Sequence, residues 1–248
     1  IVLSGTLGAA LLSGGYEKMK KAFLVARSAY EGQPMDARHV ISELLYLALA
    51  TKRKGYFAKE KDSLHTTYHP LSCAMELVED NYTPKEIREI LGSEMFFFKT
   101  RQERYERVFR NMALYAPSFG VAGSVIGLIG LLMGLEDTSQ ILRNIPVALV
   151  TTLYGVVLAN FFLTPAAEQI RDRTEAELIL RQIIMDGSIA LASETNMYKL
   201  KERLNALVAP EERITDQAAL KQLKQAVLNP KAPREHNEIP KPMPAQAF

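Results

Sequence analysis

The sequence has no tryptophan and a single cysteine, and its formal net charge is only +2. Each shortage excludes something. Without tryptophan, anchoring at a membrane–water interface falls to tyrosine and phenylalanine. The lone cysteine, Cys73, rules out an internal disulfide and fits a reducing compartment. It sits in a helical-looking stretch and reads as a small buried side chain, not a reactive thiol. The near-neutral balance gives no argument for nucleic acid as a partner. The most informative shortage is local, because residues 113–135 and 145–167 contain no Asp, Glu, Lys, Arg or His.

Mean hydropathy of −0.04 and 23 % charged residues suggest a soluble protein on average. The average misleads, because the apolar residues are concentrated in those two runs. Each is long enough to cross a hydrocarbon core, which takes about 20 helical residues. The connector EDTSQILRN (136–144) is short and polar, so the pair reads as a transmembrane hairpin. A third apolar stretch, IVLSGTLGAALL at 1–12, has no basic segment before it. It reads as the end of a transmembrane helix (1–13) whose beginning lies upstream, not as a signal peptide.

Lys18, Lys20, Lys21 and Arg27 follow that first helix. Lys99, Arg101, Arg104, Arg107 and Arg110 precede the hairpin, and Arg171 and Arg173 follow it. The connector carries Glu136, Asp137 and one arginine, Arg143. The positive-inside rule then places the connector outside and both flanking segments in the cytoplasm. Periodic apolar positions predict helices over 16–30 and 36–50, with Asp36 as a cap and a break at Glu31-Gly32-Gln33-Pro34. Further helices are predicted over 70–80 and 84–98, with Thr83-Pro84 and Glu86 as a start signal, and the pattern runs on through Arg110. Residues 168–208 look continuous, with Gly187 a modest interruption and 197–208 a final amphipathic piece. The Pro-rich tail (211–248) reads as a flexible end. No stretch alternates as a strand does. The expected fold is an all-α, polytopic, oligomeric membrane protein with a helical cytoplasmic domain at 14–112 and cytoplasmic helices at 168–210.

Gly120, Gly123, Gly127, Gly130 and Gly134 follow one another at steps of three, four, three and four, so all five share one face of a helix. Small residues let helices approach closely where lipid offers no hydrophobic drive. Packing within the chain accounts for part of this stripe, but its strict register favours contact with an oligomer mate or partner helix. Ser118, Ser124, Thr151, Thr152, Tyr154, Asn160 and Thr164 are the polar side chains of the hairpin. Their hydroxyls either back-bond to the preceding turn or face a neighbour. Pro117 and Pro165 lie at the cytoplasmic ends of the two runs, and two kinks at one depth would make a hinge ring. A proton path needs an ionisable relay in the membrane, and this hairpin has none. Either nothing is conducted or another polypeptide supplies the group. His65 and His69 have the spacing of helix-borne metal ligands, but Pro70 and a polar loop make solvated histidines the better reading.

APSFGVAGSVIGLIGLL, VALVTTLYGVVLANFFLTPAAEQI and LILRQIIMDGSIALASETNMYKLKERLNALVAP together resemble the A subunit of the bacterial flagellar motor stator. That family is called MotA in proton-driven motors and PomA in sodium-driven ones. The likeness extends to SGTLGAALLS and KRKGYFAKE and covers nearly everything before Pro210. It implies four spans per chain in the inner membrane, with five A subunits around two B subunits. A B-subunit aspartate would carry the ion, and a cytoplasmic domain would push the rotor's switch protein. It also implies that Pro117, Pro165 and Thr152 belong to the ion pathway and its coupling, with Ser124, Thr151 and Tyr154 beside them. The rotor-facing charges would be Lys52, Arg53 and Glu60. The family often has arginine where Lys52 stands and leucine where Lys59 stands. No cofactor is implied, and the transported ion is H⁺ or Na⁺. The hydroxyls of VTTLYG lean the choice to Na⁺, although Ser124 stands where sodium-driven members carry threonine and proton-driven ones alanine. The ExbB/TolQ energisers of outer-membrane transport are the alternative. They share the Pro-Gly span but not the C-terminal segment.

Overall fold

A computed structural model describes residues 1–32, 36–54, 68–133, 138–193, 196–210 and 213. Among these the regular structure is helical: α1 (Val2–Gly14), α2 (Tyr16–Glu31), α3 (Ala37–Lys54), α4 (His69–Glu79), α5 (Pro84–Met133), α6 (Thr138–Val157), a π-helical turn (Leu158–Leu163), α7 (Thr164–Ala192) and α8 (Met197–Asn205). The start signals act as chemistry requires. Asp36 accepts a bond from the Arg38 amide at 2.9 Å. Thr83 and Glu86 form a reciprocal box, with Thr83 N to Glu86 Oε2 at 2.8 Å and Glu86 N to Thr83 Oγ1 at 3.3 Å, which satisfies two amides at the start of α5.

The 50 residues of α5 extend about 75 Å, more than twice a hydrocarbon core. Two helical stretches, Pro84–Met133 and Ala148–Ala192, are long and apolar enough to cross a membrane. Their most apolar parts are only 17 % and 22 % buried by the chain itself, which a soluble core helix would not tolerate. Val2–Gly14 is a shorter apolar helix.

The chain forms two compact units. The first contains Ile1–Glu31 and Thr100–Thr174. Its core is rich in alanine: Ala22, Val25 and Ala26 of α2 pack with Val108, Phe109 and Met112 of α5 and with Ala166, Ala167 and Ile170 of α7. Gln169 Nε2 donates to the Ala29 carbonyl near the end of α2 at 3.2 Å. The second unit contains the described residues of Gly32–Lys99 and those from Glu175 to Pro210. Its core joins Ile41, Leu44 and Leu45 of α3, Leu71 and Met75 of α4, Ile183 and Ile184 of α7, and Leu200 and Leu204 of α8.

Several expectations are corrected here. Residues 14–112 do not form one domain, because α2 and the end of that stretch bury their apolar faces with the hairpin. Residues 138–144 of the polar connector are already helical, since α6 begins at Thr138. Its first turns are polar yet helical. Gly187 does not interrupt α7. A Cβ there would collide with the Leu44 side chain, so the glycine lets α3 and α7 close up. α7 ends instead at Ala192, and Asn196 caps α8 by accepting from the Tyr198 amide at 3.0 Å. Cys73 is half-buried, with Sγ 3.3 Å from His69 Nδ1 one turn earlier. His65 and the 211–248 tail lie outside the described residues, apart from Arg213.

Candidate functional site

The hairpin closes where α5 and α6 cross almost backbone to backbone. A Cβ on Gly120 would lie 3.1 Å from Thr151 O and 3.3 Å from Thr152 Cα, and one on Gly127 would lie 3.0 Å from Ala148 Cβ. The Gly123 position is filled by the Thr151 side chain, and Gly155 faces Ala116, Pro117 and Gly120. Rising residue numbers on α5 meet falling numbers on α6, so the pair is antiparallel. Three glycines of the stripe are therefore occupied by the chain's own α6. The expectation that the stripe serves a partner helix is corrected at these positions. Gly130 is half-buried, and Gly134 lies outside the described residues.

This close approach brings oxygens together. Ser124 Oγ lies 2.6 Å from the Ala148 carbonyl and 3.2 Å from its own helix's Gly120 carbonyl, and it also bonds Thr152 Oγ1. One hydroxyl has one proton, so Ser124 can donate to only one of these three acceptors at a time. The cluster is thus richer in lone pairs than in protons. It can present oxygen to a cation or exchange which acceptor it serves. Ser124, Thr151 and Thr152 are each half-buried. Tyr154 is 62 % exposed, outside the crossing. Ser118 and Asn160 back-bond to the Leu114 and Val156 carbonyls, as the bland reading of such residues holds.

The two prolines are not at one depth. Pro117, inside α5, lies against Gly155, ten residues before Pro165. At 1.5 Å per residue the offset is about 15 Å. The hinge ring is therefore corrected: the ends of the apolar runs do not coincide with equal depth, because the polar first turns of α6 lengthen one arm. Pro165 has no amide proton and crowds the carbonyl four residues back. The chain accommodates it with the π-turn Leu158–Leu163, after which Thr164 N bonds Ala159 O. Such turns are often found at functional sites.

Sequence reasoning missed Gly155, the Ala148 carbonyl and the π-turn. The first two carried a signal, since Ala148, Thr152, Gly155 and Ala159 fall at steps of four, three and four, a small-residue stripe matching that of α5. Pro146 inside α6 was also passed over. Of the charges expected to face a rotor, Lys52 and Arg53 lie in the last turn of α3 with side chains outside the description, and Glu60 lies wholly outside it.

The second unit holds a charged cluster. Tyr68 OH donates to Glu177 Oε1 at 2.6 Å, and Arg181 reaches Glu177 at 3.2 Å and Glu94 at 2.7 Å. The Arg181 guanidinium also stacks over the Phe98 ring at 4.1 Å. Burial first, then the Glu177 carboxylate, push the Tyr68 phenol far above its usual range. Burial, then Glu94, raise the Cys73 thiol, so it is not a poised nucleophile. Among the described residues no group of three His, Cys, Asp or Glu could hold a metal.

The model of the MotA/TolQ/ExbB proton channel family matches residues 62–183. Motility protein A of Treponema phagedenis is 30 % identical over 191 residues, spanning 77 % of this chain and 74 % of that protein. Chemotaxis protein PomA of Vibrio alginolyticus is 26 % identical over 196 residues, 79 % of this chain and 77 % of that one. The structure of C. jejuni MotAB has the same fold, with a TM-score of 0.81 over 88 % of this chain and 85 % of that one at 18 % identity.

Proposed function

The chain belongs to the MotA/TolQ/ExbB proton channel family, and on that premise we propose that it is the A subunit of an ion-driven flagellar stator. The observation that carries this reading is the similarity to Motility protein A over three quarters of both chains. The two apolar runs of the hairpin contain no Asp, Glu, Lys, Arg or His. The ion, H⁺ or Na⁺, therefore passes through an aspartate of a B subunit, and its passage turns a ring of A subunits. Five A subunits surround two B subunits in the inner membrane. The second compact unit lies in the cytoplasm and pushes the rotor's switch protein through Lys52, Arg53 and Glu60.

Ser124 Oγ, Thr152 Oγ1 and the Ala148 carbonyl put three oxygens at one crossing. Oxygens so grouped can replace part of a sodium ion's hydration shell, which supports Na⁺ as the driving ion. Pro117, Thr151, Tyr154 and Pro165 flank that crossing on the coupling route.

Swimming speed against sodium concentration, with a protonophore control, tests the ion. Speed that ignores sodium and collapses with the protonophore overturns Na⁺. Deleting the gene should abolish swimming while flagella still assemble. Loss of outer-membrane uptake with normal swimming would favour an ExbB/TolQ-type energiser.

A further inference from the structure

We infer that the cytoplasmic end of the hairpin carries a head-to-tail docking surface for a second copy of this chain, in which Arg101 and Arg104 on α5 of one copy meet Glu168 and Asp172 on α7 of the next. All four side chains are exposed. Each pair shares a helix face, at a step of three on α5 and of four on α7. The neighbouring charges are already matched. Arg107 pairs with Glu103 at 3.5 Å and Arg110 pairs with Glu106, while Arg171, Arg173 and Glu175 are each engaged in other contacts. Arg101, Arg104, Glu168 and Asp172 enter no ion pair among the described residues. The chain thus leaves two cations on one helix and two carboxylates on another without a counter-charge.

The two pairs lie at one depth. Gly155 sits against Ala116 and Pro117, which fixes the register of the antiparallel helices. Arg104 is twelve residues back from Ala116 and Glu168 is thirteen on from Gly155, about 18 Å and about 20 Å at the helical rise. Arg101 and Asp172 follow at about 22 Å and about 26 Å. Copies inserted the same way are related by rotation about the membrane normal, which conserves depth. A row of cations and a row of carboxylates at one depth on one chain therefore suit a heterologous contact that closes into a ring. An isologous contact would set like against like. Lipid suits the carboxylates poorly, because Glu168 directly follows the second apolar run and an anionic cytoplasmic leaflet repels it. The outward apolar side chains of the hairpin, such as Val125 and Leu149, supply attraction without register. Facing charges supply the register and exclude the reverse pairing.

The inference rests on the proposed ring of A subunits and names the surface that closes it. The full chain in a Cys73→Ser background is expressed with a cysteine-free B subunit, and membranes are treated with a short bis-methanethiosulfonate reagent. Arg104→Cys together with Glu168→Cys should give a ladder of linked A subunits, and either cysteine alone should give none. Mass photometry of the detergent-extracted complex supplies a second readout. Glu168→Arg with Asp172→Arg should lower the fraction of fully assembled complex several-fold, and adding Arg101→Glu and Arg104→Glu should restore it. Ladders from a single cysteine would mean that like rows meet. Unlinked subunits in an intact complex would mean that water, lipid or the B subunit covers these charges. Either result overturns the inference while the ring stands. A chain that never assembles removes the ring itself, and swimming that does not need the gene removes the stator reading whatever the ladder shows.

Discussion

Gly155→Ala should loosen the hairpin, whereas the same change at Gly92 should firm its helix. A Cβ on Gly155 would lie 2.6 Å from the Ala116 carbonyl oxygen and 3.1 Å from the Cα atoms of Gly120 and Pro117. All three are backbone atoms, so no side chain can swing aside. Restoring ordinary contact at ~3.4 Å requires the two helices to part by roughly 0.8 Å, and a gap of that size forfeits roughly a quarter to a half of each dispersion contact along the seam. The Ser124–Ala148 bond, now 2.6 Å, would stretch towards the limit of hydrogen bonding. Overpacking of this kind costs about 1–3 kcal/mol, while the gain in helix propensity from glycine to alanine is at most about 1 kcal/mol. At Gly92 nothing lies within 4 Å of an added Cβ. Propensity then acts alone and stabilises by about 1 kcal/mol. Thermal unfolding of the purified chain in detergent, followed by far-ultraviolet circular dichroism, reads both. If the two substitutions move the midpoint in the same direction by the same amount, the backbone-to-backbone crossing is wrong.

Two further substitutions probe the second unit. Arg181→Ala removes the cation from a side chain only 11 % exposed and strands Glu177 beside Tyr68. It should cost about 3 kcal/mol, against less than about 1 kcal/mol for Arg27→Ala in an exposed pair, and equal losses in urea unfolding would contradict the cluster's importance. Tyr68 has its folded-state pKa raised, so its stabilising effect is complete below the unfolded value of about 10 and is lost as pH rises beyond it. Tyr68→Phe should therefore remove part of the alkaline destabilisation, and a difference between the two proteins that does not change with pH from about 9 to about 11 would refute that assignment.

What the sequence made legible was whatever depends on near neighbours. The apolar runs, the Asp36 cap and the Thr83–Glu86 box are patterns over a few residues, and each appears as read. What it hid depends on partners far along the chain. Tyr68 and Glu177 are 109 positions apart and Arg181 and Glu94 are 87 apart. A glutamate that meets an arginine across two helices has the same local pattern as one that meets water. The prolines failed for a related reason, because depth in a hairpin is set by where the turn falls, and polar helical residues after Thr138 move that point. The π-turn left no local signal beyond Pro165 itself. The glycine stripe was divided between packing within the chain and a partner helix, and three of its glycines meet the chain's own α6, since a stripe states that something approaches and not what approaches.

That last correction changes what the hairpin can offer to other chains. Its small residues are largely used up between α5 and α6, so its outward surface consists of Val121, Val125, Leu128 and Leu132 on one helix and Leu149, Leu153 and Val156 on the other. Branched side chains of that size keep a neighbouring helix at ordinary packing distance and favour lipid or a broad apolar contact over a tight crossing. A neighbouring helix therefore cannot reach Ser124 and Thr152 by lying along a groove of glycines. The crossing is open at its half-exposed edge, where these two hydroxyls and Thr151 emerge. The chain thus holds these oxygens in place by its own backbone contact, and they are open to approach only from the side.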